Sequence, residues 1–444
     1  MKKTNIVVPI AALSLVACGS NGQSSHPEWC GQRVIYEMNI RQYTPEGTIA
    51  AAESHLPRLA EMGVDLIWVM PIQTIGTKDR KGSLGSYYSI KDYYEVNPEL
   101  GTLADMRSFV EKAHSLGQRV ILDWVANHTS RDALWLDSHP EWYRCDSLGV
   151  PEAPHGWDDV AQLDYDNHNL RQAMIEAMDY WICEAGSNGM RCDVAWCVPT
   201  DFWQQALAEL KGRHKGLFFL AESEMPEHHT AGFDMTFDWK LHHLFNDIAA
   251  GKASATDLKK QIAADLKEFP EGAIRMQFTS NHDENSWAGT ECERLGRADK
   301  TFAALTYLLE GMPLIYSGQE VGFDRRLPFF EKDAVDWVDR DNYTQFYSAL
   351  NNLRHSHAAL SSLDDNSFEV AVESADSTAL FAAARRSGDD LVVGLFNLSD
   401  RTVNVETDLG NNQPLKDYFG DREVAPNQKF IATFEPWQFV ILTL

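Results

Sequence analysis

The sequence contains few cysteines and too few basic residues to balance its acidic ones. There are 7 cysteines in 444 residues, and the six that follow Cys18 show no close spacing of the kind that holds a metal. The 39 lysine and arginine residues face 65 aspartate and glutamate residues, which gives a formal net charge of −26. A surface this acidic repels phosphate backbones, so we expect no nucleic-acid partner and favour a neutral or cationic substrate.

The N-terminus has the pattern of an export signal. Lysines at positions 2 and 3 precede an apolar run at 6–17, which is too short to span a bilayer as a permanent helix. The run ends in LVAC at 15–18, which resembles a bacterial lipobox and implies that Cys18 is lipidated. We therefore expect a lipoprotein signal peptide at 1–17 and a flexible tether at 18–29. Ordinary cleavage beside a chance cysteine is the alternative.

This pattern also predicts where the protein resides. It is expected to be exported and anchored to a bacterial membrane, on the periplasmic face or the cell surface, through the N-terminal lipid only.

Short β-like runs alternate with amphipathic helical segments from residue 33 onward, which favours βα units around a parallel sheet. The predicted strands are 34–39, 64–71, 119–124, 189–194, 217–222, 233–237, 273–280 and 313–317. Eight such units predict a (β/α)8 TIM barrel at 30–360.

Two further segments depart from this repeat. An irregular stretch at about 130–163, rich in Trp, Pro, His and Asp, predicts a small insertion (domain B) after the third strand. Beyond about residue 360 the pattern changes to alternating strands at 379–385, 391–397, 403–406 and 437–444. We therefore expect a C-terminal antiparallel β-sandwich domain at 361–444.

Three carboxylates lie at the ends of predicted barrel strands. Asp193, Glu222 and Asp283 end or follow the fourth, fifth and seventh strands, and active sites of this barrel form at the C-terminal ends of the strands. Neighbouring carboxylates raise one another's pKa, so that one can stay protonated while another is ionised. Glycoside cleavage requires this division between a proton donor and a nucleophile.

The ordered set of signatures resembles that of the α-amylase superfamily, glycoside hydrolase family 13. Its segments are GVDLIWVMPI at 63–72, GSYYSIKDY at 85–93, NPELGT at 97–102, DWVANH at 123–128, GMRCD at 189–193, LAE at 220–222, FTSNHD at 278–283 and GMPLIYSGQE at 311–320. Any one segment alone is weak evidence, but the full set in order is specific.

The resemblance implies a role for each of the catalytic acids. Asp193 would be the nucleophile, Glu222 the general acid and base, and Asp283 the group that stabilises the transition state. Arg191 lies two residues before Asp193, on the same face of the strand, where its guanidinium can keep the nucleophile ionised.

Other residues would bind sugar. His128 and His282 would hydrogen-bond hydroxyls at the cleavage point, and Tyr88 would stack on the sugar, with Tyr87 as the alternative in the neighbouring register. Asn127 and Asp123 are expected to organise the first signature from behind.

The sequence departs from the family pattern at two places. Trp196 and Cys197 replace the Lys and His that many α-amylases carry after the nucleophile, so Trp196 either stacks a glucose ring or packs under its loop. The loop after the first strand, RQYTPEG at 41–47, lacks an alternating series of Asp and Asn ligands. Calcium is therefore not supported by the sequence, although Asn127 could join such a site, and no cofactor is expected.

The resemblance implies a retaining α-glucan hydrolase that cleaves α-1,4 bonds of starch, glycogen or maltooligosaccharides by double displacement. Within the same family, a neopullulanase, a cyclodextrinase or an α-glucosidase is the alternative. A non-catalytic glucan-binding surface protein is an alternative of another class, and retention of all three carboxylates speaks against it.

Overall fold

The computed structural model describes residues 26–363, 367–369, 376–409 and 411–444. The predicted signal peptide, Cys18 and most of the predicted tether lie outside the described residues. None of the helices in the described ranges is long and apolar enough to cross a membrane.

The secondary structure alternates between short strands and helices up to residue 356. The strands are β1 Ile35–Met38, β2 Leu66–Val69, β3 Gln73–Ile75, β4 Ile90–Val96, β5 Arg119–Trp124, β6 His128–Ser130, β7 Val160–Gln162, β8 Gly189–Cys192, β9 Phe218–Ala221, β10 Met235–Phe237, β11 Ile274–Gln277, β12 Met312–Tyr316, β13 Ser367–Glu369, β14 Leu380–Ser387, β15 Asp390–Asn397, β16 Val403–Asp408, β17 Leu415–Asp417, β18 Glu423–Val424, β19 Lys429–Phe434 and β20 Phe439–Thr443. The α-helices are α1 Ile40–Tyr43, α2 Ile49–Glu53, α3 Leu56–Met62, α4 Leu103–Ser115, α5 Leu134–Ser138, α6 His168–Ala185, α7 Thr200–Arg213, α8 Glu227–Ala231, α9 Trp239–Ala249, α10 Ala255–Glu268, α11 Glu291–Leu295, α12 Asp299–Leu308 and α13 Tyr343–Ser356.

Eight parallel strands close into a barrel, in the order β1-β12-β11-β10-β9-β8-β5-β2. Each corresponds to one of the eight predicted runs, so the predicted (β/α)8 fold is confirmed. Most observed strands are shorter than the predicted runs, and Asp193 and Glu222 lie just beyond β8 and β9 rather than within them. This difference places both carboxylates on the rim.

The barrel interior is filled by the alternate residues of its strands. Every second side chain of each strand points into the barrel, and together they form a buried cluster that includes Ile35, Trp68, Phe237 and Met276. The side chains between them pack outward against the helices. Both faces of the sheet are covered, which explains why the strands are mostly apolar. Charged residues at interior positions are therefore exceptions that require an explanation.

Two short antiparallel pairs shape the mouth of the barrel. Strands β3 and β4 pair after β2, and β6 pairs with β7 across the irregular stretch between residues 130 and 160. Within this excursion Tyr143 bridges to Leu163, and Trp157 contacts His128 edge-on at 5.5 Å between ring centroids. These contacts hold the excursion against the DWVANH segment at 123–128.

The C-terminal part contains two antiparallel sheets, as predicted. Strands β13-β14-β15-β20-β17-β18 form one sheet, and β16 pairs with β19. One face of the larger sheet, with Phe396 and Ile441, belongs to the core shared with the barrel helices, and the other face packs on Val405 and Phe430. The domain boundaries proposed from the sequence stay predictions.

Gly189 illustrates a constraint on closing the barrel. Its φ is 142°, and a Cβ atom there would lie 1.8 Å from the carbonyl oxygen of Phe218 on β9. Only glycine can occupy this position, because the backbones of β8 and β9 lie too close together for a side chain.

We predict that Gly189→Ala lowers the free energy of unfolding by about 3 kcal/mol or more, because it adds both steric overlap and backbone strain. Gly212→Ala is the matched control, since Gly212 lies in α7 with no heavy atom within 4 Å of the added Cβ. The control variant should be unchanged or about 0.5–1 kcal/mol more stable. Urea unfolding followed by tryptophan fluorescence measures both, and equal stability of the two variants would contradict the prediction.

Candidate active site

The candidate catalytic side chains meet at the C-terminal end of the barrel. Asp193 follows β8, Glu222 follows β9, and Asp283 lies beyond β11, at the start of the helical segment Glu284–Ala288. Asp123 on β5 and Arg191 on β8 are partners in the strand register. Because residues two apart in a strand face the same side, Arg191 and Asp193 both turn toward the lumen.

The buried guanidinium of Arg191 contacts three carboxylates. Arg191 Nη1 lies 2.9 Å from Asp123 Oδ1 and 3.1 Å from Asp193 Oδ1, and Nη2 lies 2.7 Å from Glu222 Oε2. Burial disfavours a charged guanidinium, but Asp123, Glu222 and Asp193 outweigh it and raise the pKa of Arg191 well above its usual value. Arg191 is therefore a permanent cation at the centre of the site.

The carboxylates at the site do not all ionise readily. Burial raises the pKa of Asp193 well above its usual value; Arg191 opposes this rise, while Glu222, Asp123 and Asp283 add to it. In the free site the Asp193 carboxyl therefore accepts a proton at higher pH than a free carboxyl does.

Val194 has an unusual backbone conformation directly after Asp193. Its φ and ψ are 35° and 46°, in the left-handed region that β-branched residues avoid. In this conformation the Val194 N–H donates to Glu222 Oε2 at 2.7 Å. Strain of this kind persists where the surrounding structure imposes it, and here it fixes the general-acid candidate relative to the nucleophile candidate.

Tyr88, rather than Tyr87, contacts the carboxylate cluster. Its hydroxyl lies 3.0 Å from Asp123 Oδ2 and 2.8 Å from His282 Nε2, and its ring stacks on the His282 ring at 5.5 Å. Tyr87 instead lies under the guanidinium of Arg41, 4.0 Å from the ring centroid.

His282 is a second cation at the mouth. Its Nδ1 lies 2.5 Å from Glu37 Oε1, and its Nε2 lies 3.4 Å from Asp283 Oδ2. Burial lowers its pKa, but Asp283 and Glu37 outweigh burial and raise the pKa to about 9. A doubly protonated ring can donate to Glu37 on one side and to the Tyr88 hydroxyl on the other.

His128 is in the opposite protonation state. It is buried, and burial lowers its pKa to about 3. Asn127 Nδ2 donates to His128 Nδ1 at 3.2 Å, which places the proton of the neutral ring on Nε2. The two histidines therefore present different charges, although both lie in signatures of the same site.

Trp196 lies on the rim, half exposed, with its ring 5.2 Å from that of His155. It is not packed under its loop. His155 Nε2 also contacts Cys197 Sγ at 3.1 Å. The segment after the nucleophile thus meets the excursion between β6 and β7.

The surroundings of Asn127 do not fit a calcium ion. Gln162 Nε2 donates to Asn127 Oδ1 at 2.8 Å, to the Asn127 carbonyl at 2.9 Å and to the Leu163 carbonyl at 3.2 Å. An amide nitrogen thus contacts the oxygens that a hard cation would need.

Glu37 and Val194 are site residues that sequence reasoning missed. Glu37 did leave a signal, because it is an acid at an interior position of the otherwise apolar β1. Burial raises its pKa. For Val194, the residue type gave no indication of the left-handed backbone conformation.

Comparisons with known proteins identify the family. The sequence matches the alpha-amylase family, described as "Alpha amylase, catalytic domain", over residues 20–145 and 155–362. Alpha-amylase MalA of Haloarcula japonica is 29% identical over 405 residues, which cover 87% of this chain and 58% of that protein. A cyclomaltodextrinase of a Bacillus species is 24% identical over 396 residues, covering 75% of this chain and 67% of that protein.

A solved structure agrees with the fold. The maltogenic alpha-amylase AmyB of Thermotoga neapolitana superposes with a TM-score of 0.85 at 29% identity, covering 93% of this chain and 98% of that one. The resemblance inferred from the ordered signatures is confirmed, and the chain belongs to the alpha-amylase family of glycoside hydrolases.

Proposed function

We propose that the protein is a retaining hydrolase of α-1,4-glucosidic bonds in starch, glycogen or maltooligosaccharides. The observation that carries this proposal is the buried Arg191 guanidinium in contact with both Asp193 and Glu222. It brings a nucleophile candidate and a proton-donor candidate to one place.

The proposed reaction has two steps. Asp193 attacks the anomeric carbon while Glu222 gives its proton to the departing glycosidic oxygen, which forms a glucosyl ester on Asp193. Glu222 then takes a proton from water, and the water oxygen attacks the same carbon and releases Asp193. Two inversions leave the anomeric configuration unchanged.

The contacts of Glu222 centre on one of its two oxygens. Arg191 and the Val194 N–H both engage Oε2, so Oε1 is the oxygen that carries the proton in this mechanism. Ionic contact with Arg191 favours the charged form that Asp193 needs as the nucleophile. Asp283, more exposed than the other two acids and 3.4 Å from His282, would stabilise positive charge that develops on the sugar.

The remaining candidates would position the sugar at the cleavage point. Tyr88 would offer its ring to the sugar, and neutral His128 would hydrogen-bond a hydroxyl. Charged His282 would bind a hydroxyl by exchanging its Nε2 contact with the Tyr88 hydroxyl for one with the sugar. Trp196, half exposed on the rim, is placed to stack a ring on the leaving-group side.

A cyclodextrinase or maltose-forming activity is the second candidate, because one similar protein is named a cyclomaltodextrinase and one similar structure a maltogenic alpha-amylase. Time-resolved digests of amylose, pullulan and cyclodextrin separate these activities. Mixed oligosaccharides from amylose support endo action, whereas early maltose and rapid cyclodextrin opening support the second candidate. Glucan binding without new reducing ends would instead indicate a non-catalytic binding protein.

Asp193→Asn should lower kcat on maltooligosaccharides by at least about 10⁴-fold, because a neutral amide cannot form the ester. Binding of the oligosaccharide should survive. Asp201→Asn is the matched control, since its side chain is 68% exposed on α7 and pairs with Arg171. Kinetics and calorimetric binding test both variants, and substantial activity in Asp193→Asn would mean that the nucleophile is misassigned.

The charge of His282 predicts a pH dependence. Its pKa is raised from 6.5 to about 9, so the stability that the charged ring contributes is fully present below about pH 6.5 and is lost as pH rises through about 9. The alkaline limb of the free energy of unfolding, measured by urea unfolding across pH, should lie near this upper value.

Glu37→Gln should move this alkaline limb down by about one pH unit, because it removes a carboxylate that raises the pKa of His282. Glu37→Asp retains the charge and should keep the limb closer to that of the wild type. The comparison is made from full pH profiles of the three proteins. An identical limb in all three would contradict the assignment to His282.

We further propose that the protein is exported and anchored to a bacterial membrane by a lipid on Cys18. The charged start, the short apolar run and LVAC at 15–18 support this placement.

Cys18→Ala should move the protein from the membrane fraction to the soluble fraction of cells that express the full chain, because a single residue carries the lipid. Cys30→Ala serves as a control that leaves the anchor intact. Fractionation followed by immunoblotting measures the distribution. An unchanged membrane fraction for Cys18→Ala would exclude the lipid anchor.

A further inference from the structure

Three potential metal ligands converge at the opposite end of the barrel from the candidate active site. Asp179 and Cys183 lie on α6, and His214 follows the last residue of α7. Helix α6 leads into the N-terminal end of β8, and α7 leads into the N-terminal end of β9. The group is therefore remote from the sugar site.

The geometry brings the three ligand atoms to one point. Asp179 and Cys183 are four residues apart on the helix and share a face. His214 Nε2 lies 2.7 Å from Asp179 Oδ1 and 3.9 Å from Cys183 Sγ, and all three ligand atoms lie within 4.8 Å of one another. Among the residues described, this is the one group of three such side chains that could hold a metal ion.

We propose that Asp179, Cys183 and His214 form a binding site for a divalent ion of the zinc class. Zinc binds Cys sulfur at about 2.3 Å and His nitrogen or carboxylate oxygen at about 2.0–2.2 Å in a tetrahedron. Such bond lengths place neighbouring ligand atoms roughly 3.3–3.8 Å apart. The sulfur and the imidazole are already near this separation, and the carboxylate and the imidazole need to move apart by less than about 1 Å.

The chemistry of the ligands selects the ion. A thiolate and an imidazole favour zinc and cobalt over calcium and magnesium, which prefer oxygen ligands. The remaining oxygen of Asp179, Oδ2, lies 3.4 Å from Arg213 Nη1, which orients the carboxylate and leaves Oδ1 for the metal. Water would complete the tetrahedron, since Cys183 is exposed and His214 and Asp179 are partly so.

Binding has a defined proton balance. The Cys183 thiol loses one proton as the sulfur–metal bond forms. The proton that His214 Nε2 donates to Asp179 moves to Nδ1 of the neutral ring, so that Nε2 and Asp179 Oδ1 can each bind the ion. The ion would tie the end of α6 to the end of α7. Because these helices precede the strands that carry Asp193 and Glu222, the expected effect is on stability of the barrel rather than on chemistry at its mouth.

The cysteine spacing in the sequence gave no indication of this site. Cys183 and His214 are 31 residues apart, and only closure of the barrel places α6 beside α7. Cys145 and Cys292 are also exposed, but each lies outside the group of three.

The test is a titration of the metal-free protein with Co²⁺ and Zn²⁺. Wild type should bind one equivalent of Co²⁺ with a thiolate-to-cobalt absorption band, and Zn²⁺ should displace it. At a free Zn²⁺ concentration about 100 times Kd, Tm should rise by about 3 °C. The kcat on maltooligosaccharides should stay unchanged.

Variants locate the ligands. Cys183→Ser should abolish the band and weaken Zn²⁺ binding by about tenfold or more, and His214→Ala should weaken it comparably. Cys292→Ser is the matched control and should behave as wild type. Absence of the one-equivalent band in wild type, or its persistence in Cys183→Ser, would overturn the proposal.

Discussion

The site depends on a single buried cation. Arg191 is fully buried and contacts Asp123, Asp193 and Glu222. Without it, Asp123, Asp193 and Glu222 would lose the cation that they share, and removing one partner of such a buried network typically costs about 3–5 kcal/mol. The same contact orients the nucleophile candidate and the acid candidate, so folding and the proposed chemistry depend on one interaction.

The barrel explains how residues from distant parts of the sequence reach this cation. Alternation along β5 and β8 turns Asp123 and Arg191 toward the lumen, and the parallel register places them side by side. His282 provides a second positive charge, which is shared by Glu37 and Asp283. The mouth therefore contains two cations with separate acidic partners, which lets the carboxylates differ in proton affinity and makes a division between acid and nucleophile possible.

Much of this arrangement was predictable from the sequence. Apolar runs bounded by turn residues gave eight barrel strands, and the carboxylates at their ends gave Asp193, Glu222 and Asp283. The sequence did not predict β3, β4, β6, β7, β13, β17, β18 and β19. Six of these strands span only two or three residues, and the two longer ones, β4 and β19, carry exposed polar residues.

What the sequence could not supply depends on closure of the fold. Glu37 becomes a partner of His282 only when β1 and the loop after β11 meet, and the left-handed backbone of Val194 is imposed by its surroundings rather than by its residue type. The group of Asp179, Cys183 and His214 likewise requires α6 and α7 to pack side by side. Whether Trp196 was exposed or packed under its loop could not be decided by residue type, and the position of His155 beside it depends on the path of the excursion.

The most direct measurement is to trap the covalent intermediate. A 5-fluoro-α-glucosyl fluoride carries a good leaving group and slows breakdown of the glucosyl ester, so that the ester accumulates on the nucleophile. Peptide mass spectrometry of the inactivated protein should find one fluoroglucosyl group on the peptide that contains Asp193, at that residue. A label on Glu222, on Asp283 or on no carboxylate would contradict the account of Arg191 as the cation that holds the nucleophile in place.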